Sequence, residues 1–172
     1  MQLKNYALGQ WVAGADAGET LVDASTGDFI ATASSSGLDF NMMMQYARST
    51  GSPALRKMTF HERGNMLKAL AFYLKERVDL FYPISYKTGA TKVDSWIDIE
   101  GGIGNLFSYA SLRRQFQNQR YYVDGDTVGL SKGGSFIGHH IMVPKEGVAI
   151  HINAFNFPVW GMLEKIAVNL LA

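Results

Sequence analysis

The spacing of hydrophobic residues changes along this 172-residue chain. Residues 6–33 alternate short apolar runs with glycine turns, which predicts two or three short strands. Between residues 39 and 110 the apolar positions recur every three or four residues, as in helices. Residues 121–144 again resemble strands and turns. The apolar run 147–152 predicts a strand buried on both faces, and a helix follows it. The expected class is therefore α/β.

Polar residues mark where three of the helices begin. Asp39 is placed to cap a helix over roughly 40–49. Thr59 and Glu62 form a capping box, in which each side chain satisfies a free backbone donor of the first turn. Thr91 and Asp94 indicate a second such cap. The first helix has Met42, Met43, Tyr46 and Ala47 at core spacing. The second places Met66, Leu67, Leu70, Ala71 and Leu74 on one face, and the third runs through Trp96, Ile99, Ile103, Leu106, Phe107 and Ala110.

Three glycines, Gly101, Gly102 and Gly104, interrupt the last of these helical patterns. Each costs about 1 kcal/mol relative to alanine in a helix. Close packing against a neighbouring helix is the expected reason for them. A phosphate-binding loop is the alternative, but the chain contains neither of the common glycine-rich phosphate motifs.

Composition narrows the possible partners. The 16 basic and 15 acidic residues nearly balance, so neither nucleic acid nor an anionic membrane is expected to bind. The absence of cysteine excludes disulfides and thiolate-metal sites. His139 and His140 are adjacent on a predicted strand and point to opposite faces, so no metal site is expected. Without a secretory signal or an apolar run of ~20 residues, a soluble cytoplasmic protein is expected.

The segment 147–172 carries the most chemical information. It predicts a strand, a tight loop and a helix, and open α/β folds bind ligands at such loops. Asn156 lies in the loop between two phenylalanines and just before Pro158. Its amide could donate a hydrogen bond to a developing oxyanion. Alternatively, its side-chain oxygen could cap the helix. The spacing alone gives the two roles equal weight.

Several motifs in the correct order resemble the aldehyde dehydrogenase family. Residues 144–149 (PKEGVA), 153–158 (NAFNFP) and 164–165 (EK) are similar to the family's P-x-G-V, P-W-N-F-P and following helix lysine. Residues 9–12, 25–28, 62–63 and 88–89 match its earlier segments. Residues 88–91, 94–104 and 151–158 most resemble the aldehyde dehydrogenase part of bifunctional phenylacetate-degradation proteins. Ala154 and Phe155 depart from the usual proline and tryptophan.

The resemblance implies the N-terminal part of the aldehyde dehydrogenase fold, in which helices and short strands lead into a Rossmann-like parallel sheet with a bridging β-hairpin. Residues 1–119 would form the first part of the cofactor-binding domain. Residues 120–145 would form the bridging strands that assemble a homo-oligomer. Residues 146–172 would begin the catalytic and cofactor site. Because an apolar helix stops without a cap at residue 172, we expect a truncated chain.

The resemblance also implies an activity, the NAD- or NADP-dependent oxidation of an aldehyde, expected to be a CoA-linked semialdehyde of phenylacetate catabolism. The family's nucleophile is a cysteine, which these 172 residues lack, so the piece alone is expected to be inactive. The alternative is a non-catalytic binding or assembly remnant of the same fold. The resemblance implies that Asn156 is the oxyanion amide and that Lys165 lies near the general-base glutamate. It also implies that Phe157 and Trp160 face the aldehyde. The residues that would border the cofactor are Ile152, Asn153, Ala154 and Phe155.

Overall fold

A computed structural model describes residues 1–172, which form six α-helices and six β-strands. None of the helices combines the length and apolar character needed to cross a bilayer. The strands are β1 (Lys4–Ala7), β2 (Gln10–Ala13), β3 (Glu19–Val22), β4 (Phe29–Ala33), β5 (Tyr122–Gly129) and β6 (Ile137–Met142). The helices are α1 (Phe40–Tyr46), α2 (Ser52–Lys57), α3 (Phe60–Lys75), α4 (Tyr82–Tyr86), α5 (Lys92–Ser111) and α6 (Pro158–Leu171).

The strands form three antiparallel pairs, β1 with β2, β3 with β4, and β5 with β6. The first pair is joined by Leu8 and Gly9, both with positive φ, as a two-residue hairpin turn of the primed type requires. The N-terminal residues run parallel to β4, where Leu3 N donates to Thr32 O at 2.8 Å. Strands are thus confirmed in 6–33 and 121–144, although the first region forms four strands and not the two or three expected.

The hydrophobic core lies where α3, α5 and α6 pack together. Each helix contributes residues spaced three or four apart, which places them on one face. The predicted inner faces of α3 and α5 are confirmed by this packing. The buried members of the core are Leu67, Ala71, Ile99, Ile103, Leu106, Ala110, Leu163, Ala167 and Leu171.

Both capping boxes are present as predicted. Thr59 Oγ1 accepts a hydrogen bond from Glu62 N at 3.3 Å, and the Glu62 carboxylate accepts one from Thr59 N at 2.7 Å. Thr91 and Asp94 make the equivalent pair at the start of α5. The hydrogen bond from Thr59 N lowers the pKa of the Glu62 carboxyl, because it stabilises the charged form.

Glycines 101 and 102 allow α6 to approach α5 closely. A methyl group on Gly102 would lie 2.9 Å from Trp160 Cα and 3.0 Å from Trp160 N. Added to Gly101, it would meet the Trp160 ring. The predicted packing role is therefore confirmed for these two residues. It is wrong for Gly104, which has nothing within 4 Å of the position of a methyl group.

The predicted first helix and its Asp39 cap are confirmed, but the predicted burial of its core positions is wrong. Helix α1 begins at Phe40, where Asp39 Oδ1 accepts from Met42 N at 2.9 Å, and a wider helical turn over Ala47–Gly51 continues it. No residue of α1 is buried. Trp96 on α5 is 54% exposed. The spacing of apolar residues defines a helix face, but burial also requires another element to cover that face. The face of α1 and the Trp96 side of α5 lack such a cover here.

The predicted strand at 147–152 is also wrong. These residues have no regular secondary structure, and Ile150 and Ile152 are 76% and 86% exposed. A strand needs a neighbouring backbone to satisfy its N–H and C=O groups. All three strand pairs in residues 1–172 are antiparallel hairpins elsewhere in the chain. The apolar run therefore has no parallel partner here.

The glycines of α5 provide a matched pair for testing the packing. We expect Gly102→Ala to lower the free energy of unfolding by about 1–3 kcal/mol, because the new methyl overlaps the α6 backbone. Gly104→Ala should raise it by about 0.5–1 kcal/mol, because alanine favours the helix and meets nothing. Urea denaturation followed by circular dichroism measures both changes. Equal stability of the two variants would contradict the packing described here.

The capping box at Thr59 predicts a pH dependence. The pKa of Glu62 is lowered from 4.5 in the folded chain. The Glu62 carboxylate therefore contributes its full stabilisation above pH 4.5, and this stabilisation is lost as the pH falls through the folded-state pKa. The unfolding free energy of Glu62→Gln should therefore fall less between about pH 5 and about pH 3 than that of the parent chain. Glu19→Gln, in which an exposed glutamate is changed, is the control and should follow the parent curve. Parallel curves for all three would contradict the assignment.

Candidate functional site

The loop before α6 presents Asn156 to solvent. Residues 150–157 have no regular structure beyond a turn at 155–156, and α6 begins at Pro158. Proline is well suited to this first position because its missing N–H would have no partner in the helix. The Asn156 side chain is exposed and makes no hydrogen bond with the rest of the chain. Its amide is therefore free to contact a ligand.

The start of α6 is capped by a residue from another helix. The residue before the helix, Phe157, has no polar side chain to accept the free N–H groups of the first turn. Asp98 of α5 accepts them instead. Its Oδ1 lies 2.7 Å from Trp160 N, and its Oδ2 lies 3.2 Å from Val159 N. The alternative that Asn156 caps the helix is therefore wrong.

Asp98 is only 2% exposed, so its carboxylate is almost entirely removed from water. Burying a charge is costly unless hydrogen bonds and opposite charge compensate it. Two charge-assisted hydrogen bonds and the partial positive charge at the N-terminus of α6 provide that compensation. The carboxylate therefore fixes the first turn of α6 to the middle of α5.

Sequence reasoning missed Asp98 although a signal was present. An acidic residue stands directly before Ile99 and four residues before Gly102, both at buried positions of α5. A carboxylate on the buried face of a helix needs a specific partner. The sequence shows this need, but it does not show that the partner is a backbone segment 61 and 62 residues further along the chain.

Trp160, expected at the aldehyde entrance, is half-buried between α5 and α6. Its ring lies against Gly101. Its indole Nε1 donates to Glu164 Oε2 at 2.7 Å, one turn further along α6. Phe157 is also half-buried. Both residues therefore border the loop, and their contact with a substrate remains a prediction.

Lys165 and Asn153 lie together beside this loop. The Lys165 ammonium donates to the carbonyl oxygen of Gly161 at 2.8 Å and lies 3.5 Å from Asn153 Oδ1. Lys165 thus connects α6 to the residues before it. The structure brings these two predicted residues together, but Asn156 bonds to neither of them.

The four residues expected to border the cofactor form an exposed strip. Ile152 is 86% exposed and Phe155 is 81% exposed, and Asn153 and Ala154 between them are exposed as well. Two large apolar side chains at this exposure leave contact area for a flat ring system, and Asn153 adds a polar group. Contact of this strip with a cofactor remains a prediction.

A buried cation lies at the opposite end of α6. Arg63 of α3 is 3% exposed, and its Nε donates to Leu171 O at 2.9 Å. One of its terminal nitrogens also donates to Met58 O at 3.0 Å. Burial lowers the pKa of Arg63 because it penalises the charged form. The last turn of α6 carries partial negative charge, so a cation is favourable there.

Comparison with known proteins gives two concordant matches. The sequence model of the aldehyde dehydrogenase family matches residues 11–172. A 3,4-dehydroadipyl-CoA semialdehyde dehydrogenase from Aromatoleum evansii is 40% identical over 173 residues. That alignment covers 100% of this chain and 34% of the relative, so the chain spans about a third of the relative's length.

The capping role of Asp98 predicts a loss of stability on substitution. Asp98→Ala should lower the free energy of unfolding by about 1–3 kcal/mol for each N–H left without a partner. Asp98→Asn keeps one oxygen acceptor and should lose less. Chemical denaturation measures both, with Asp79→Asn at an exposed acid as control, expected within about 0.5 kcal/mol of the parent. A parent-like Asp98→Ala would show that solvent can replace the carboxylate.

Proposed function

The chain belongs to the aldehyde dehydrogenase family, and we propose that the complete protein oxidises a CoA-linked semialdehyde to the carboxylic acid with NAD or NADP. The choice of substrate is supported by the name of the relative, a CoA semialdehyde dehydrogenase that is 40% identical over the whole chain. The likeness to bifunctional phenylacetate-degradation proteins supports a role in phenylacetate catabolism. The observation that carries the proposed chemistry is the exposed and unpaired amide of Asn156.

In the proposed reaction, Asn156 stabilises negative charge on the aldehyde oxygen. Its side-chain NH₂ would donate a hydrogen bond to that oxygen as the carbon is attacked. A donor aimed at the oxygen where charge develops stabilises the transition state. The lack of any competing intramolecular hydrogen bond supports this role.

The strip Ile152–Asn153–Ala154–Phe155 is proposed to hold the nicotinamide cofactor. When bound, that cofactor accepts a hydride from the aldehyde carbon. The exposed Ile152 and Phe155 side chains would contact its flat rings, and Asn153 would hydrogen-bond to a polar group. The bond from Lys165 to the Gly161 carbonyl and its proximity to Asn153 would keep this strip beside α6.

The remaining predicted roles follow from the same proposal. Lys165 is proposed to lie near the general base of the complete site. Phe157 and Trp160 are proposed to line the approach of the aldehyde. Residues 120–145 are proposed to bridge subunits of a homo-oligomer, and the exposed apolar side chains Val128, Ile137 and Ile141 on β5 and β6 support this. Residues 1–119 and 146–172 would contribute the cofactor domain and the site.

The nucleophile is the part that these 172 residues do not supply. The chemistry of the family uses a cysteine thiolate, and the chain contains no cysteine. We therefore propose that the 172-residue piece has no dehydrogenase activity by itself. The segments described here would bind and orient the aldehyde and the cofactor.

Replacing Asn156 tests the proposal. In the complete protein, Asn156→Ala should lower kcat for a CoA-linked semialdehyde about 10²–10³-fold, because one donor to the developing oxyanion is lost. Formation of NADH or NADPH measures the rate. Asn169→Ala is the matched control, because Asn169 is an exposed asparagine near the other end of α6. Its kcat should equal that of the parent.

Two results would contradict the proposal. An unchanged kcat in Asn156→Ala would remove the oxyanion role. Equal kcat/KM for the CoA-linked semialdehyde and for the same aldehyde without CoA would remove the proposed substrate class, because recognition of the CoA group should lower the transition-state energy.

A further inference from the structure

We propose that Asp98 is a positioning residue for Asn156, because its carboxylate fixes the first turn of α6 and thereby the place of the Asn156 amide. The inference rests on the proposed function, in which that amide donates to the aldehyde oxygen. Asp98 is buried and lies on α5, whereas the loop that carries Asn156 leads into α6.

Both carboxylate oxygens of Asp98 are used for this contact. Oδ1 accepts from Trp160 N at 2.7 Å, and Oδ2 accepts from Val159 N at 3.2 Å. Two bonds to consecutive backbone donors oppose rotation of the turn about the helix axis as well as sliding along it. Gly102 brings the two backbones close enough, since a methyl group there would lie 2.9 Å from Trp160 Cα.

The backbone position of Asn156 follows from this turn, because the Asn156 side chain makes no hydrogen bond that would hold the residue elsewhere. Asn156 is exposed and makes no hydrogen bond of its own. Only Phe157 and Pro158 separate it from Val159. Proline restricts φ, and Gly161 N donates to Phe157 O at 3.2 Å, so this short connection is stiff. A displacement of the first turn would therefore displace the Asn156 backbone.

The same contact also restricts where an oxyanion can bind. The free N–H groups at the start of a helix commonly bind anions. In α6 two of these groups already donate to Asp98, and Pro158 has none. Gly161 N donates to Phe157 O. The exposed Asn156 amide just before this turn has no such partner and can donate to the aldehyde oxygen.

A double-mutant cycle in the complete protein separates positioning from simple stabilisation. Asp98→Ala should lower kcat for the CoA-linked semialdehyde about 10- to 100-fold, as misplacement of a catalytic group does, with little change in KM. Asp98→Asn retains one acceptor and should recover part of the rate. In the Asn156→Ala background, Asp98→Ala should cause no further loss, because it acts through the missing amide.

Thr91→Ala is the control, because it destabilises α5 at its capping box without touching α6. It should leave kcat unchanged at temperatures where every variant is folded. An equal additional loss from Asp98→Ala in both backgrounds would overturn the positioning role. A parent-like kcat in Asp98→Ala would also overturn it. Failure of Asp98→Asn to fold would overturn it as well, because the carboxylate would then be required for folding itself.

The outcome also distinguishes this inference from the proposed function. An impaired Asn156→Ala together with a fully active Asp98→Ala would overturn the positioning role alone. A fully active Asn156→Ala would overturn both.

Discussion

The contact between the Asp98 carboxylate and the first turn of α6 is the constraint on which the arrangement of this chain depends. A buried charge requires specific partners, and the two backbone N–H groups of Val159 and Trp160 provide them. At the other end of the same helix, the buried Arg63 guanidinium donates to the Leu171 carbonyl. The Asp98 carboxylate thus lies at the N-terminus of α6 and the Arg63 guanidinium at its last turn, an arrangement that the helix dipole favours.

This arrangement connects the core to the loop. Helices α3 and α5 begin with their own capping boxes, so N–H groups at their N-terminal ends are satisfied locally. Helix α6 depends on side chains from those two helices at its ends. Its start therefore adopts the position that α5 dictates. The loop that carries Asn153 and Asn156 ends at that start, so the core sets the place of the residues to which we assign chemistry.

The structural features that the sequence predicted correctly depend on interactions between residues close together in the chain. The capping boxes at Thr59 and Thr91 span four residues, and the inner faces of α3 and α5 follow from helical spacing. Both were predicted correctly. The strand at 147–152 was predicted from its apolar run. A strand also needs hydrogen bonds to the backbone of another strand, and residues 1–172 place no strand beside this run. The exposure of α1 could not be predicted either, because the burial of a helix depends on which other elements pack against it.

The candidate site shows the same division. The loop that contains Asn156 and the helix after it were predicted from the order of residues, and the family was predicted from motifs in the sequence. Asp98 was missed because its partners lie about 60 residues away, and capping rules consider only neighbours in the chain. A charged residue among the apolar positions of α5 was the available signal, and only the tertiary structure identifies its role.

Hydrogen exchange at the amides of Val159 and Trp160 tests the central claim most directly. Amides bonded to a buried carboxylate should open only with the core, so both should exchange as slowly as the buried helical amides of α5. Asp98→Ala should then bring their exchange to the rate of the exposed loop before α6. Rapid exchange of both amides in the parent chain would show that Asp98 does not hold this turn, and would contradict the account.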